Sequence, residues 1–248
     1  YRLIINLNTV YQYSVENTTA NFRQTIAFLY ELRYNLNTNE RTRASMKAIF
    51  YTLGCKVNQY ETQAMREMMQ SAGYDTEECT AAHSDACDIV VINSCTVTGE
   101  SDRKLRQLLR RCRREYPCAT IVLTGCMPQA FPDAADKLVE ADIVLGNAAR
   151  RSLRQHIDAY AVHRQRIVEI APHSREYESL HIHALSERTR AFVKIQDGCN
   201  RFCSYCIIPY ARGRVRSREP DDIRAELTAL AAKGYKEAVL VGINLTAY

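Results

Sequence analysis

Three cysteines, Cys199, Cys203 and Cys206, fall within eight residues of one another in the stretch VKIQDGCNRFCSYCIIPYARG. Three thiolates at this spacing can hold three irons of a cubane cluster and leave the fourth iron open to a small molecule. The competing assignment is a zinc knuckle, which needs a fourth Cys or His close by, and none follows in the next residues. His163, His173, His181 and His183 lie upstream in a polar connecting stretch, and His181-x-His183 reads there as solvated linker. A second set of thiols is dispersed: Cys55 in TLGC, Cys95 in INSC and Cys126 in LTGC each follow a short apolar run.

Those runs imply the scaffold that must position the thiols. Strands are expected at 48–53, 89–93, 120–124 and 143–145, with a weaker one near 74–77 after the turn at Gly73. Helices are expected between them, at 60–72, 101–115, 131–140 and 150–161. This alternation predicts an α/β fold with a flavodoxin-like, doubly wound parallel sheet. Asn58 with Glu61 reads as an N-cap and its reciprocal partner for the first helix, and Pro117 falls just past the second. In a strand order 2-1-3-4-5, strands 1, 3 and 4 are neighbours about 4.8 Å apart, so Cys55, Cys95 and Cys126 converge at one carboxyl edge, where such sheets bind ligands. Taken singly, each could instead be a small residue filling a tight strand-to-helix corner. Cys79, Cys87, Cys112 and Cys118 do not share this placement and read as bystanders, Cys112 lying on the apolar face with Leu105, Leu108 and Leu109.

Composition narrows the class. The 248 residues are 46% hydrophobic and carry a net charge of +5, which suits a globular protein with one large or two modest domains. No stretch approaches the roughly 20 apolar residues of a membrane span, and the first residues lack a signal-peptide pattern. A cytoplasmic location is expected, where ten cysteines argue for metal or redox chemistry rather than disulfides. Residues 1–45 contain no Gly, Pro or Cys and read as a non-native or appended segment, with a native start at Met46. Phe22, Ile26, Leu29 and Leu36 have helical spacing there, but an isolated helix of that length is marginal. The organisation expected is therefore 1–45 appended, 46–162 the sheet domain with one set of cysteines, 163–189 a linker, and 190–248 a second, incomplete domain.

With these motifs in place, the chain resembles a known family. Cys199-x3-Cys203-x2-Cys206, with Tyr205 before the last cysteine, is similar to the signature of radical S-adenosylmethionine (SAM) enzymes. Together with GCKVNQYET at 54–62, INSCTVT at 92–98 and LTGCMPQ at 123–129, it resembles the methylthiotransferases over about 46–248. GCKVNQYE and CSYCIIPYARG look most like the branch that methylthiolates threonylcarbamoyladenosine beside the anticodon of tRNA. Sister branches act on isopentenyladenosine in tRNA or on a ribosomal protein aspartate.

The resemblance implies two [4Fe-4S] clusters, an auxiliary one on Cys55, Cys95 and Cys126 and a radical-SAM one on Cys199, Cys203 and Cys206. It implies SAM as methyl source and radical source, a tRNA substrate, and a reductant such as a flavodoxin or ferredoxin. It also places Tyr205 beside the adenine of SAM, and Gly242 and Asn244 at the barrel strand that approaches SAM. An ordinary strand-end glycine is the plainer reading of Gly242. After the cysteine loop, a helix at 221–233 and a strand at 238–241 suit the start of a truncated radical-SAM partial β/α barrel, with an open sheet edge left exposed. A non-enzymatic, metal-stabilised RNA-binding module is the alternative of a different class.

Two basic clusters remain. Arg103, Lys104, Arg106, Arg110, Arg111, Arg113 and Arg114 follow Cys95 on one helix, and read equally as a solvated face or as contacts to tRNA phosphates. Arg212, Arg214, Arg216 and Arg218 alternate, as on one face of an extended segment.

Overall fold

The computed structural model describes residues 46–79, 87–178, 180, 182 and 190–248. The expectations for 1–45 and for His181 and His183 lie outside these residues. Six strands form one parallel sheet in the order β2-β1-β3-β4-β5-β6. They are β1 (Lys47–Thr52), β2 (Asp75–Glu78), β3 (Ile89–Ser94), β4 (Thr120–Gly125), β5 (Ile143–Leu145) and β6 (Ile167–Glu169). The three central strands read as continuous apolar runs because both their faces are covered: every residue of β3, β4 and β5 is buried. One apolar layer contains Ile49, Val90, Ile92, Leu105, Leu109 and Leu123. The other contains Phe50, Met65, Met69, Val91, Val122 and Leu153.

The helices are α1 (Lys56–Ser71), α2 (Gly99–Glu115), α3 (Cys126–Ala130), α4 (Pro132–Asp136) and α5 (Leu153–His163). In α2, Thr98 caps the start by accepting from the Ser101 N–H, acidic Glu100 and Asp102 sit in the first turn, and Arg113 and Arg114 in the last. This arrangement matches the helix dipole. The doubly wound sheet is thus the expected one, extended by β6, a strand contributed by the polar connecting stretch.

Three local expectations are corrected. The first helix begins at Lys56 with Cys55 at its N-cap and no side-chain cap bond; Asn58 and Glu61 are fully buried and turned to other partners. The helix expected at 131–140 is confined to Pro132–Asp136 and follows a separate short helix, Cys126–Ala130, from which it is divided at Phe131, non-helical ahead of Pro132. A 3₁₀ turn, Asn147–Ser152, precedes α5 and delays its start.

Beyond the sheet, β7 (Arg190–Lys194) pairs in parallel with β10 (Glu237–Val241). The connection between them carries the cysteine loop, α6 (Ile208–Arg212), and α7 (Pro220–Ala232). A short antiparallel pair, β8 (Gln196–Asp197) with β9 (Arg216–Ser217), closes the base of that loop. Ala191, Val193, Ile195, Ile223 and Leu230 form its own small core, giving one β-α-β unit. Strand β10 is paired on one side, and Leu240 is 44% exposed.

Candidate functional site

The two Gly-Cys pairs explain how the dispersed cysteines reach one edge. Gly54 has φ +115°, and a β-carbon on it would lie 2.8 Å from Cys95 Cβ and 3.1 Å from Cys95 Sγ. Gly125 has φ +101°, and its added β-carbon would meet Ser94 N and Asn93 Oδ1 at 2.6 Å. Only glycine tolerates both the dihedral and the crowding. Each glycine lets its strand end turn tightly against the residues leading into Cys95, so the turns after β1 and β4 flank the end of β3.

Asn58 joins these turns. Its Oδ1 accepts from Cys55 Sγ at 3.2 Å, while its Nδ2 donates to the Ser94 carbonyl at 3.0 Å and to Asn93 Oδ1 at 3.3 Å. Cys95 and Cys126 are buried and Cys55 is exposed. Burial pushes the Cys126 thiol up, against the pull of the Arg212 guanidinium. Among the described residues, no three His, Cys, Asp or Glu side chains are close enough together to grip a single metal ion.

The second set of cysteines lies on the loop between β8 and α6. Gly198, at φ +76°, passes so close to the returning chain that a β-carbon would sit 2.7 Å from the Gly213 carbonyl oxygen. The Cys199 N–H donates to that same carbonyl at 3.0 Å, and the Cys206 N–H donates to the Cys203 carbonyl at 2.9 Å. Cys203 is exposed, and Cys199 and Cys206 are half-buried. Tyr205 is 90% exposed. Phe202 meets Tyr210 edge-on at 6.4 Å, and the Arg214 guanidinium covers the Phe202 ring at 5.2 Å.

Gly242 and Asn244 are tied to this loop through Gln196, which is fully buried. Gln196 Nε2 donates to the Asp197 and Gly198 carbonyls at 2.8 Å, and its Oε1 accepts from the Asn244 N–H at 2.8 Å. A β-carbon on Gly242 would lie 3.0 Å from Gln196 Cβ. Gly242 therefore has a packing role whatever else it does.

A buried ionic network links the two sets of cysteines, and sequence reading missed it. Glu61, on α1, pairs with Arg150 at 2.5 Å, with Lys194 at 2.8 Å and with Arg212. Lys194 also reaches Asp197 at 2.7 Å. Burial opposes ionisation of Glu61, yet Arg150, Arg212 and Lys194 together hold its carboxyl well below the usual carboxylate range. Arg212 completes the link: its Nε donates to Cys126 Sγ at 3.1 Å and its Nη2 donates to Asn58 Oδ1 at 3.0 Å. His173, held by Tyr210 O at 2.9 Å, packs its ring on Gly213 beside this point.

The expected one-sided arginine stripe at 212–218 is corrected accordingly. Arg212 ends a helix and is fully buried, and Arg218 is buried against Glu226 and Asp222. Arg216 is nearly covered against Asp197 at 3.5 Å, and Arg214 alone of the four faces outward.

The basic helix α2 is largely committed to partners of its own. Arg103 and Lys104 pair with Glu100, Arg110 with Glu140, and Arg111 with Glu115. Arg113 binds Asp142 at 2.6 Å and donates to the carbonyls of Pro117, Ala119 and Glu140. A shallow groove lined by Lys104, Gln107, Leu108, Arg110, Arg111 and Arg114 runs along its outer side. No helix among the described residues is long and apolar enough to cross a membrane.

Comparison with known proteins matches two regions of the chain. Residues 47–146 match the family described as "Uncharacterized protein family UPF0004", and residues 193–248 match the Radical SAM superfamily. A protein of Bacillus subtilis named threonylcarbamoyladenosine tRNA methylthiotransferase MtaB is 43% identical over 201 residues, or 80% of this chain and 44% of that protein. A protein of the same name from Aquifex aeolicus is 39% identical over 82% of this chain and 49% of its own length. A tRNA-2-methylthio-N(6)-dimethylallyladenosine synthase of Pelotomaculum thermopropionicum is 34% identical over 79% of this chain and 44% of its own length. The chain thus spans about half the length of these curated relatives. One cysteine trio thus falls in the UPF0004 region and the other in the Radical SAM superfamily region, and the chain is similar over about four fifths of its length to radical SAM methylthiotransferases.

Proposed function

We propose that this chain is the part of a tRNA-modifying methylthiotransferase that carries both iron-sulfur sites, and that the protein methylthiolates carbon 2 of N6-threonylcarbamoyladenosine next to the anticodon. The observation that carries this reading is the joining of the two cysteine motifs through Arg212, whose guanidinium reaches Cys126 Sγ at 3.1 Å from the end of the CSYCIIPYAR segment. Two independent cysteine sites have no reason to share a buried arginine; two sites that act on one substrate do.

The donor set fits a pair of [4Fe-4S] clusters. Cys55, Cys95 and Cys126 would hold the auxiliary one, and Cys199, Cys203 and Cys206 the other. Four covered cations, Arg150, Lys194, Arg212 and Arg216, face three carboxylates, Glu61, Asp197 and Glu178. The surplus positive charge suits thiolates and an anionic centre. Thr124 Oγ1 and Asn147 Oδ1, both buried, have no hydrogen-bond partner among the described residues, which favours a further polar group at the edge formed by β4 and β5.

The bound groups supply radical opening of an unactivated C–H bond and delivery of a methylthio group, neither of which a side chain provides. The chain's own residues position and shield. Gly54 and Gly125 let the turns close on Cys95, Gln196 fixes the cysteine loop relative to the end of β10, and the ionic network keeps the two motifs in register. Tyr205, open to solvent at the loop, is assigned to the adenine of SAM, with Gly242 and Asn244 as its neighbours. A reductant of the flavodoxin or ferredoxin type and a cytoplasmic location complete the reading.

The alternative substrate is isopentenyladenosine in tRNA; identities of 43% and 39% to the threonylcarbamoyladenosine-named relatives, against 34% to the dimethylallyladenosine-named one, favour the first. A ribosomal protein aspartate or a role as an RNA-binding module without catalysis would leave tRNA nucleosides unchanged. The test is mass analysis of tRNA nucleosides from a strain lacking the gene. The expected result is loss of the methylthio form of threonylcarbamoyladenosine with its unmodified precursor retained. Loss of the dimethylallyl methylthio nucleoside instead would transfer the assignment.

A further inference from the structure

We propose that Arg212 is a positioning residue through which the radical-SAM segment controls the auxiliary cluster, by donating a charged hydrogen bond to the Cys126 sulfur. This deepens the function proposed above and rests on its assignment of Cys126 as a cluster ligand.

The geometry separates this contact from ordinary surface pairing. Arg212 is fully buried and uses three of its nitrogens on three different partners. Nε points to Cys126 Sγ at 3.1 Å, Nη2 points to Asn58 Oδ1 at 3.0 Å, and Nη1 pairs with Glu61. A planar guanidinium with three anchored corners is held in one orientation, unlike a lysine ammonium on a flexible stem. Asn58 Oδ1 also accepts from the free Cys55 thiol at 3.2 Å, a bond that ends once that sulfur is a ligating thiolate, so Cys126 is the sulfur that the guanidinium contacts directly. Helix α6, which ends at Arg212, packs on α3, which begins at Cys126. The backbone of the donor is fixed as well: the Gly213 N–H bonds the Pro209 carbonyl at 2.9 Å, and the Asn147 amide bonds the Ala211 carbonyl at 2.6 Å.

A cationic donor on a ligating sulfur withdraws electron density from it and favours the more reduced cluster, raising its reduction potential. The same arginine follows Cys206 by six residues on one continuous segment, so the segment that carries the second trio supplies the donor to the first.

The test uses protein in which Cys199, Cys203 and Cys206 are changed to alanine, prepared without oxygen and reconstituted with iron and sulfide, so that one centre remains. Arg212→Gln is expected to lower the potential of that centre in a redox titration followed by electron paramagnetic resonance, and Arg212→Lys to restore part of the shift. A control variant, Lys194→Gln, disturbs the same ionic network without removing the sulfur's donor, and is expected to move the potential less than Arg212→Gln does. Should the Arg212 variants fail to fold, the protein with native Arg212 and 15N-labelled arginine serves in their place: the reduced centre is expected to show an arginine nitrogen coupling in pulsed measurements. A centre that forms but shows no such coupling, or the same potential in Arg212→Gln, overturns the role of Arg212 and leaves the cluster assignment standing. A preparation that binds no iron in this background overturns both.

Discussion

Gly54 lies against Cys95 so closely that the β-carbon of an alanine would sit 2.8 Å from the cysteine's own Cβ. The φ of +115° adds backbone strain of about 1–3 kcal/mol for any L-residue. Gly54→Ala is therefore expected to lower stability by at least that amount and to reduce iron bound after anaerobic reconstitution. Gly99→Ala, at the open start of α2 with nothing near its β-carbon, serves as the control and should stay within about 0.5 kcal/mol of the parent. Equal iron content in Gly54→Ala and the parent would remove the turn from the site.

Each cysteine trio is expected to account for half of the bound iron. Changing Cys55, Cys95 and Cys126 to alanine, or Cys199, Cys203 and Cys206, should halve iron and sulfide per chain, and only the second change should abolish the response of the reduced spectrum to SAM. Cys112→Ala should leave iron unchanged, since Cys112 is fully buried in the apolar core and its thiol is pushed up to about 12 by that burial.

Glu61 carries a pH dependence with a defined sign. Its carboxyl is held well below its ordinary value in the folded protein by Arg150, Arg212 and Lys194, against the effect of burial. Stability from this group is present above the unfolded carboxylate value of about 4.3 and is lost as pH falls through the lower folded value. Glu61→Gln is expected to cost about 3–5 kcal/mol at neutral pH, because it removes the carboxylate that Arg150, Lys194 and Arg212 share and leaves them only Glu178 and Asp197 as counter-charges. The same variant should show a shallower loss of stability below about pH 4. Urea titrations at several pH values measure both, and parallel acid limbs in parent and variant would refute the assignment.

Arg113 and Arg114 are adjacent on α2 but differ in what they hold. Arg113→Ala is expected to destabilise by about 1–3 kcal/mol, because it removes the counter-charge of Asp142 and the donor to the carbonyls of Glu140 and Ala119. Arg114→Ala, at an exposed position, should change stability by less than about 0.5 kcal/mol. Thermal unfolding of the two variants side by side distinguishes a structural clamp from a solvated charge.

The sheet was legible because β1, β3, β4 and β5 are short apolar runs separated by helical periodicity, and all four lie within two residues of the expected positions. Strand β6 was not, since Ile167–Glu169 is short and half exposed and gains its identity only by pairing with β5. The start of α1 was misplaced because Cys55 caps it without a side-chain bond, leaving the local pattern to nominate Asn58. The ionic network was illegible for a different reason. Glu61 finds Lys194 and Arg212 at separations of 133 and 151 residues, and no local pattern announces such a pairing. The Gly54-Cys55, Gly125-Cys126 and Gly198-Cys199 pairs carried the one local signal of crowding, because a glycine before a cysteine implies a close neighbour.

The scattering of Glu61's partners along the chain bears on how the protein is synthesised. As the nascent polypeptide leaves the ribosome, helix α1 emerges with its carboxylate long before Lys194 and Arg212 exist to neutralise it, and only Arg150 arrives while the sheet strands are appearing. Until those two cations emerge, that carboxylate has only Arg150 of its three partners, so the ionic network is complete only once the segment through Arg212 has been made.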